Sequence, residues 1–402
     1  MTQNLLWIPF SLLMSVAVVS AQMAQCAPLI LESFEEIGDY CAQLGRNQVC
    51  YGHDLVDAEF NIDTPPEFDT PSDRADVIDL SVLNLQALDL ESEEWGIALF
   101  NVQADLPETI PGQNVSILAI GNMRVENAVS EEEAHTLDSE IRIEAIVNSN
   151  LRDEPDAGSA VMDGVVAGTE LVAYGIDDTG NWLRVQREPT PLWISREVIE
   201  TDGDLSSLPV LTGNNYSAMQ AFRLSSGIGR VNCESITEGV IIQTSENTET
   251  RLNINGSDIE VGSTVMLTID DALMRLYVLD GQATVNETDG IPAGYAVQTD
   301  LDENGDVGIW YGFQEMDDAT ISQLEIYMNV PASLLHYPIT MPTPVDLTTP
   351  WDETTSSDEP NSDIRPDDDT GTTNNVPAEG NDDDSDEDDS DEDADSDDSH
   401  DD

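Results

Sequence analysis

The side chains able to do chemistry fall into three groups. Asp300, Asp302, Asn304 and Asp306 place oxygen donors at alternate positions of DLDENGD, with Gly305 where the chain must turn, like the front half of a calcium loop. The twelfth position, where a bidentate glutamate would close such a loop, is Tyr311. A polar hairpin turn accounts for the same residues, so calcium remains an alternative and no cofactor is otherwise expected. Trp182 and Trp193 could stack on a ligand or fill a core. Cys26, Cys41, Cys50 and Cys233 make an even number, read as two disulfides with three possible connectivities.

No catalytic residue is expected. His53, His135, His336 and His400 stand apart, and no H-E-x-x-H, G-x-S-x-G or phosphate-cradling glycine loop is present. A carboxylate-pair hydrolase stays open only because acids are too abundant to be informative.

Charge limits the partners. The 402 residues hold 82 acids against 13 basic residues, all arginine, for a net charge of −69. No basic face is available for nucleic acid or anionic lipid. Residues 351–402 carry 24 acids and Arg365 with few large apolar groups, and are expected to be disordered. The remainder keeps 58 acids against 12 arginines, −46, so acidity belongs to the folded body as well. Two explanations fit that composition: a secreted protein in a saline or cation-rich medium, where screening relieves self-repulsion, or a lineage whose surface proteins are generally acidic.

Residues 1–21 read as a signal peptide. Leu5 to Ala21 is apolar and ends in Val19-Ser20-Ala21, and no later run is long enough to cross a membrane, so the mature chain is expected to be secreted or at the cell surface without membrane insertion.

Four segments follow. Residues 22–62 form a disulfide-linked helical segment, in which Ile30, Phe34, Ile37, Cys41 and Leu44 predict an amphipathic helix over 29–44. A Pro-rich loop at 63–76 leads to a β-rich domain over 77–130, with runs VIDLSVLNL, WGIALFNVQADL and VSILAIG. Residues 143–200 read as five strands, Ala145–Asn148, Val161–Val166, Glu170–Gly175, Trp182–Gln186 and Leu192–Ser195, which can bury their apolar faces only by curling into a small barrel. A second β-rich domain spans 216–342 and ends in an acid-capped helix at 317–336, broken at Pro331. The fold class is thus mainly β and multidomain, with a short N-terminal helix.

The barrel segment resembles the bacterial SH3-like (SH3b) family. The matching residues are Asn150-Leu151-Arg152 with Pro155, Gly168 before Leu171-Val172, Gly175, the Gly180-Asn181-Trp182 turn, Val185 and Trp193-Ile194; Leu192 stands where that family usually has glycine. The resemblance implies an extracellular module that binds cell-wall peptide or glycan, or an envelope protein, with Trp182 and Trp193 as candidate ligand contacts. Residues 216–316 are similar to the FecR-type β domain, on VLDGQATV at 278–285 followed by Ile291-Pro292-Ala293-Gly294, which implies an envelope sensing or scaffold role. The expectation is a non-enzymatic envelope protein displaying a binding barrel, with two alternatives: a structural or sensor spacer that binds nothing there, or a carboxylate-pair wall hydrolase.

Overall fold

Three runs, IALFNV, VSILAI and GVIIQ, have almost no polar face, and they form the middle of a nine-stranded sheet. The computed structural model describes residues 11–342 apart from 106–108, 110–112, 131–132, 135–138, 188–189, 213–215, 228–236 and 286–289, and for residues 11–25 only the backbone. The expected disordered tail, the first ten residues of the expected signal peptide and Cys233 lie outside the described residues. In pairing order the first sheet runs Tyr311–Glu315, Tyr295–Asp300, Leu273–Asp280, Thr264–Asp270, Gly239–Gln243, Val115–Ile120, Ile97–Val102, Gln48–His53, Arg74–Asp76.

A second sheet holds eight strands: Val56–Phe60, Leu80–Leu85, Met123–Asn127, Ala221–Ser226, Thr250–Ile254, Ser257–Val261, Gln282–Val285 and Ile291–Pro292. TRLNI and SDIEV alternate buried and exposed residues, so this sheet has one buried and one open face. Strands Ala221–Ser226 and Thr264–Asp270 are in contact across the two sheets.

The chain passes between the sheets repeatedly. It crosses near Leu55, Gly121, Gly281 and Gly294, each at positive φ. Gly281 (φ 65°) separates Leu273–Asp280 in the first sheet from Gln282–Val285 in the second, and a Cβ there would lie 2.4 Å from the Gly262 carbonyl oxygen.

The other face of the first sheet is covered by helix and strap. Residues Ser11–Tyr40 are helical, with Ile30, Phe34 and Ile37 fully buried as the 29–44 periodicity predicts, although the helix ends at Tyr40. After Asp317 caps the Thr320 N–H, the helix Asp318–Leu324 and the 3-10 turn Glu325–Asn329 lead into a strap whose Val330, Leu334, Leu335 and Ile339 join the same core. Phe34 meets Trp95 (6.2 Å) and Tyr327 (6.0 Å), tying helix, sheet and strap together.

Two expected boundaries are corrected. Segments 77–130 and 216–342 are not separate domains: Val115–Ile120 pairs with Gly239–Gln243 from Ile120↔Gly239 to Ser116↔Gln243, and Met123–Asn127 pairs with Ala221–Ser226. Strands apolar on both faces need neighbours that neither segment supplies alone. Likewise Gln48–His53 and Val56–Phe60, placed with the N-terminal helical segment, belong to the two sheets. The result is one two-sheet body interrupted by a barrel, and the mainly β, multidomain fold class stands.

The barrel is a seven-stranded sheet in the order Val161–Val165, Ser149–Arg152, Leu192–Ser195, Trp182–Val185, Glu170–Ile176, Ile141–Ala145, Ile199–Glu200. Ile141 and Ile143, near one end of that order, share a core with Val165 at the other, so the sheet wraps around it. The strand expected at 145–148 is instead a turn between strands, with Ile146 and Val147 exposed.

Glu238 lies against this frame, accepting the Asn122 N–H at 3.0 Å. Burial pushes its carboxyl above the ordinary 4.5, against the pull of the backbone N–H groups of Asn122 and Leu88. A raised folded-state value stabilises the protein most below the unfolded value, and that contribution is lost as pH rises through the folded one. The Tm of the wild type minus that of Glu238→Gln should therefore fall as pH rises above 4.5; a flat or rising difference would contradict this account. Gly281→Ala should lower stability by about 1–3 kcal/mol, measured by chemical denaturation.

Candidate functional site

The barrel turn Asp177–Trp182 is organised by one buried carboxylate. Asp177 Oδ1 accepts the N–H groups of Asn181 (2.8 Å) and Trp182 (2.7 Å), and Oδ2 accepts from the Thr179 backbone and hydroxyl. The turn sets the register that places Trp182 opposite Ser195 and Trp193 opposite Arg184.

The two tryptophans come together, but on packing duty. Trp193 is 4% exposed and packs with Tyr174 and Leu211, against which Trp182 is half-buried. The buried Arg184 guanidinium lies 5.1 Å from the Trp193 ring centroid and donates to the Asp153 carbonyl at 3.3 Å. Leu211 is in the chain leaving the barrel, whose Leu211 N–H donates to the Ile176 carbonyl, and the Tyr174 hydroxyl donates to the Thr109 carbonyl of the body at 3.4 Å. The cluster fastens barrel, outgoing chain and body; only Trp182 keeps an appreciable exposed surface.

Open surface of ligand size lies elsewhere on the barrel. A cleft of about 670 Å³ is lined by Glu140, Arg142, Glu144, Glu170, Glu200 and Asp202. A neighbouring one of about 570 Å³ is lined by Asp177, Asp178, Arg196 and Asp204, and the two share Thr201 and Gly203. Thr201 holds the divide by donating from Oγ1 to the Arg142 carbonyl at 2.6 Å. Together the clefts form a trough with eight acids and two arginines, which favours cationic groups. Part of it is visible in the sequence as the alternation Glu140-Ile141-Arg142-Ile143-Glu144, isoleucines inward and charges outward. Glu170, Glu200 and Asp202 are brought beside them only by strand pairing, through Glu170↔Glu144 and Glu200↔Glu144.

The aspartate loop closes on itself. Asp302 Oδ1 accepts the N–H groups of Asn304 (2.7 Å) and Asp306 (3.0 Å). Arg223 lies 2.6 Å from Asp306 Oδ1 and donates to the Asn304 backbone carbonyl at 3.2 Å. Asp300 accepts the Tyr311 hydroxyl at 3.2 Å. Among the described residues no group of three or more His, Cys, Asp or Glu is arranged to hold a metal. The loop is turned by the Asp302 carboxylate, and of its four acids Asp306 is paired with an arginine.

Cys41 and Cys50 form a disulfide that joins the end of the helix to strand Gln48–His53. Cys26 is also disulfide-bonded, and the described cysteines leave no free thiol. Among the described residues no helix is long and apolar enough to cross a membrane. Both facts are compatible with a secreted or extracellular protein. His53 is buried, its Nδ1 accepting the Trp95 N–H at 3.3 Å and its Nε2 3.4 Å from Glu36.

No family model matches the sequence, and no curated protein matches it. Among solved structures the chain is similar to NlpC2 from Trichomonas vaginalis, with 10% identity and a TM-score of 0.16, over 39% of this chain and 50% of that one. The chain thus spans half the length of that structure, and a likeness at this level carries neither fold nor function.

Proposed function

We propose that the protein is an exported, non-enzymatic binding or scaffold protein of the cell envelope, in which an SH3-like barrel is the binding module and the two-sheet body its carrier. The observation that carries this reading is the way the barrel is mounted. It has its own core, and it is inserted between two adjacent antiparallel strands, Met123–Asn127 and Ala221–Ser226, whose continuation is pinned by Ala128 N–H donating to the Ala221 carbonyl at 2.9 Å. A module attached at neighbouring strand ends can present its outer surface without disturbing the carrier.

The trough favours wall peptide over glycan. A peptide with a free amine or basic side chain would meet Glu144, Glu170 and Glu200, whereas stacking on a sugar ring needs an open aromatic face and Trp193 is covered by Arg184. The signal-like N-terminus and the Cys41–Cys50 bridge support export.

Pelleting the full chain with purified cell walls tests the reading. The wild type should co-sediment at low salt and be released as salt is raised, and the double variant Glu144→Gln/Glu200→Gln should bind several-fold more weakly with an unchanged Tm. A wild type that stays in the supernatant would overturn it. Trp193→Ala should instead act on stability, by about 3–5 kcal/mol in denaturant unfolding, because it empties a packed site.

A further inference from the structure

The charged trough of the barrel ends at an apolar step. Along Ile141–Ala145 the odd positions are buried while Arg142 and Glu144 face outward, and the next outward position, Ile146, is 46% exposed. Val147 (47%) and Val166 (65%) are exposed at the same end of the barrel. Backbone hydrogen bonds bring the two chain segments together. The Gly168 N–H donates to the Ala145 carbonyl at 2.7 Å, and the Ala167 N–H to Asn148 Oδ1 at 3.1 Å. The Thr169 N–H donates to the Val166 carbonyl and closes the turn, in which Gly168 takes φ 85°. A Cβ on Gly168 would have Glu144 Oε1 as its nearest neighbour, 3.9 Å away. Carboxylate and aliphatic patch therefore meet at a residue that has no side chain to cover either.

Neither half of this surface serves the barrel core. Glu170, Glu144 and Glu200 stand directly opposite one another across three strands, a like-charge row that costs stability, and none has an ion-pair partner among the described residues. Ile146, Val147 and Val166 are outside the buried cluster that the rest of the barrel shares, and they leave aliphatic surface in water.

Charge decides the occupant. A second copy docked through the same face would set the glutamate row against itself, and an anionic bilayer would meet the same repulsion. A neutral sugar would leave the row without a counter-charge. A peptide matches both halves when it lays a basic side chain on the glutamates and an aliphatic one on the patch. Residues i and i+2 of an extended chain lie on one face about 6.6 Å apart, as Glu144 and Ile146 do, so the two groups of the peptide are separated by one residue. Arg142 lies on the side of Glu144 away from the patch, which favours placing the cation toward the patch.

We propose that this face of the barrel binds an extended peptide segment in which one residue separates a basic side chain from a large aliphatic one. The cation lies on Glu144, Glu170 and Glu200, and the aliphatic group on Ile146, Val147 and Val166. This rests on the barrel being the binding module and names the peptide class that it takes.

Calorimetric titration of the full chain with end-blocked glycine pentapeptides tests it. Four are needed: lysine second and leucine fourth, the reverse order, lysine alone and leucine alone. The tighter of the two lysine–leucine peptides should bind saturably and at least tenfold more tightly than either single-residue peptide. Its advantage over lysine alone should persist as salt is raised, because an aliphatic contact is not screened. Ile146→Ser and Val166→Ser should each remove most of that advantage with Tm unchanged, and Glu144→Gln/Glu200→Gln should bring the affinity toward that of leucine alone. The proposal is overturned if the lysine–leucine peptides bind no more tightly than lysine alone, or if neither serine variant alters their affinity. A dimer of the full chain that Val166→Ser converts to monomer would also overturn it, since a second copy would then cover the patch. A wild type that pellets with cell walls but does not distinguish the peptides removes this proposal and keeps the barrel reading; one that neither pellets nor binds any peptide removes both.

Discussion

The architecture depends on one constraint: the central strands of the first sheet are apolar on both faces, and neither face can be left to water. Leu99, Leu118, Ile241 and Met266 form a row directly across four strands on the outer face, each nearly or fully buried. At roughly 25 cal/mol per Å² of apolar surface, leaving that row open would be costly, so a second layer is obligatory. The helix ending at Tyr40 and the strap 330–339 supply it, although they are almost 300 residues apart in sequence.

One polar row of the same sheet holds that cover in place. Gln48, Asn101, Ser116, Gln243 and Thr264 are directly opposite one another in successive strands. Asn101 donates to the Leu44 carbonyl and Gln48 accepts the Gly45 N–H, which fixes the turn after the helix. Gln243, fully buried, accepts the N–H groups of His336 and Tyr337 and donates to the Tyr337 carbonyl, which fixes the strap. The apolar rows supply attraction without direction, and the polar row supplies position. The Cys41–Cys50 disulfide adds a covalent tie at the same corner.

How much of this was legible in the sequence follows from what is local. The burial of Ile30, Phe34, Ile37 and Cys41 and four of the five expected barrel strands follow from periodicity and turn residues. Ala145-Ile146-Val147-Asn148 misleads because an apolar run at a turn looks like a strand. The pairing of Val115–Ile120 with Gly239–Gln243 could not be read, since a barrel intervenes and strand periodicity carries no partner label. The sites divide in the same way. Trp182 and Trp193 stand out by residue type, but only the fold shows Arg184 over the Trp193 ring.

The acidity of the body takes on a different meaning once the turns are seen. As composition it is a coat suited to the medium, yet many aspartates have a local structural task that lysine or arginine could not perform, because a backbone N–H needs an acceptor. Hydrogen bonds from the Ser206 hydroxyl and N–H hold the Asp204 carboxyl below its usual range; the N–H groups of Asp306 and Asn304 do so for Asp302, and that of Thr320 for Asp317. Such depressed groups stabilise the fold above their ordinary value of 3.8, and that contribution is lost as pH falls through their folded values. Glu238, raised by burial, works in the opposite direction. The surface turns therefore favour neutral pH while the buried carboxyl behind Asn122 favours acid. The arginines divide in their use: Arg187 and Arg223 pair with Asp163 and Asp306, whereas Arg74, Arg152, Arg184 and Arg196 donate to backbone carbonyls and so hold the fold rather than offset its charge.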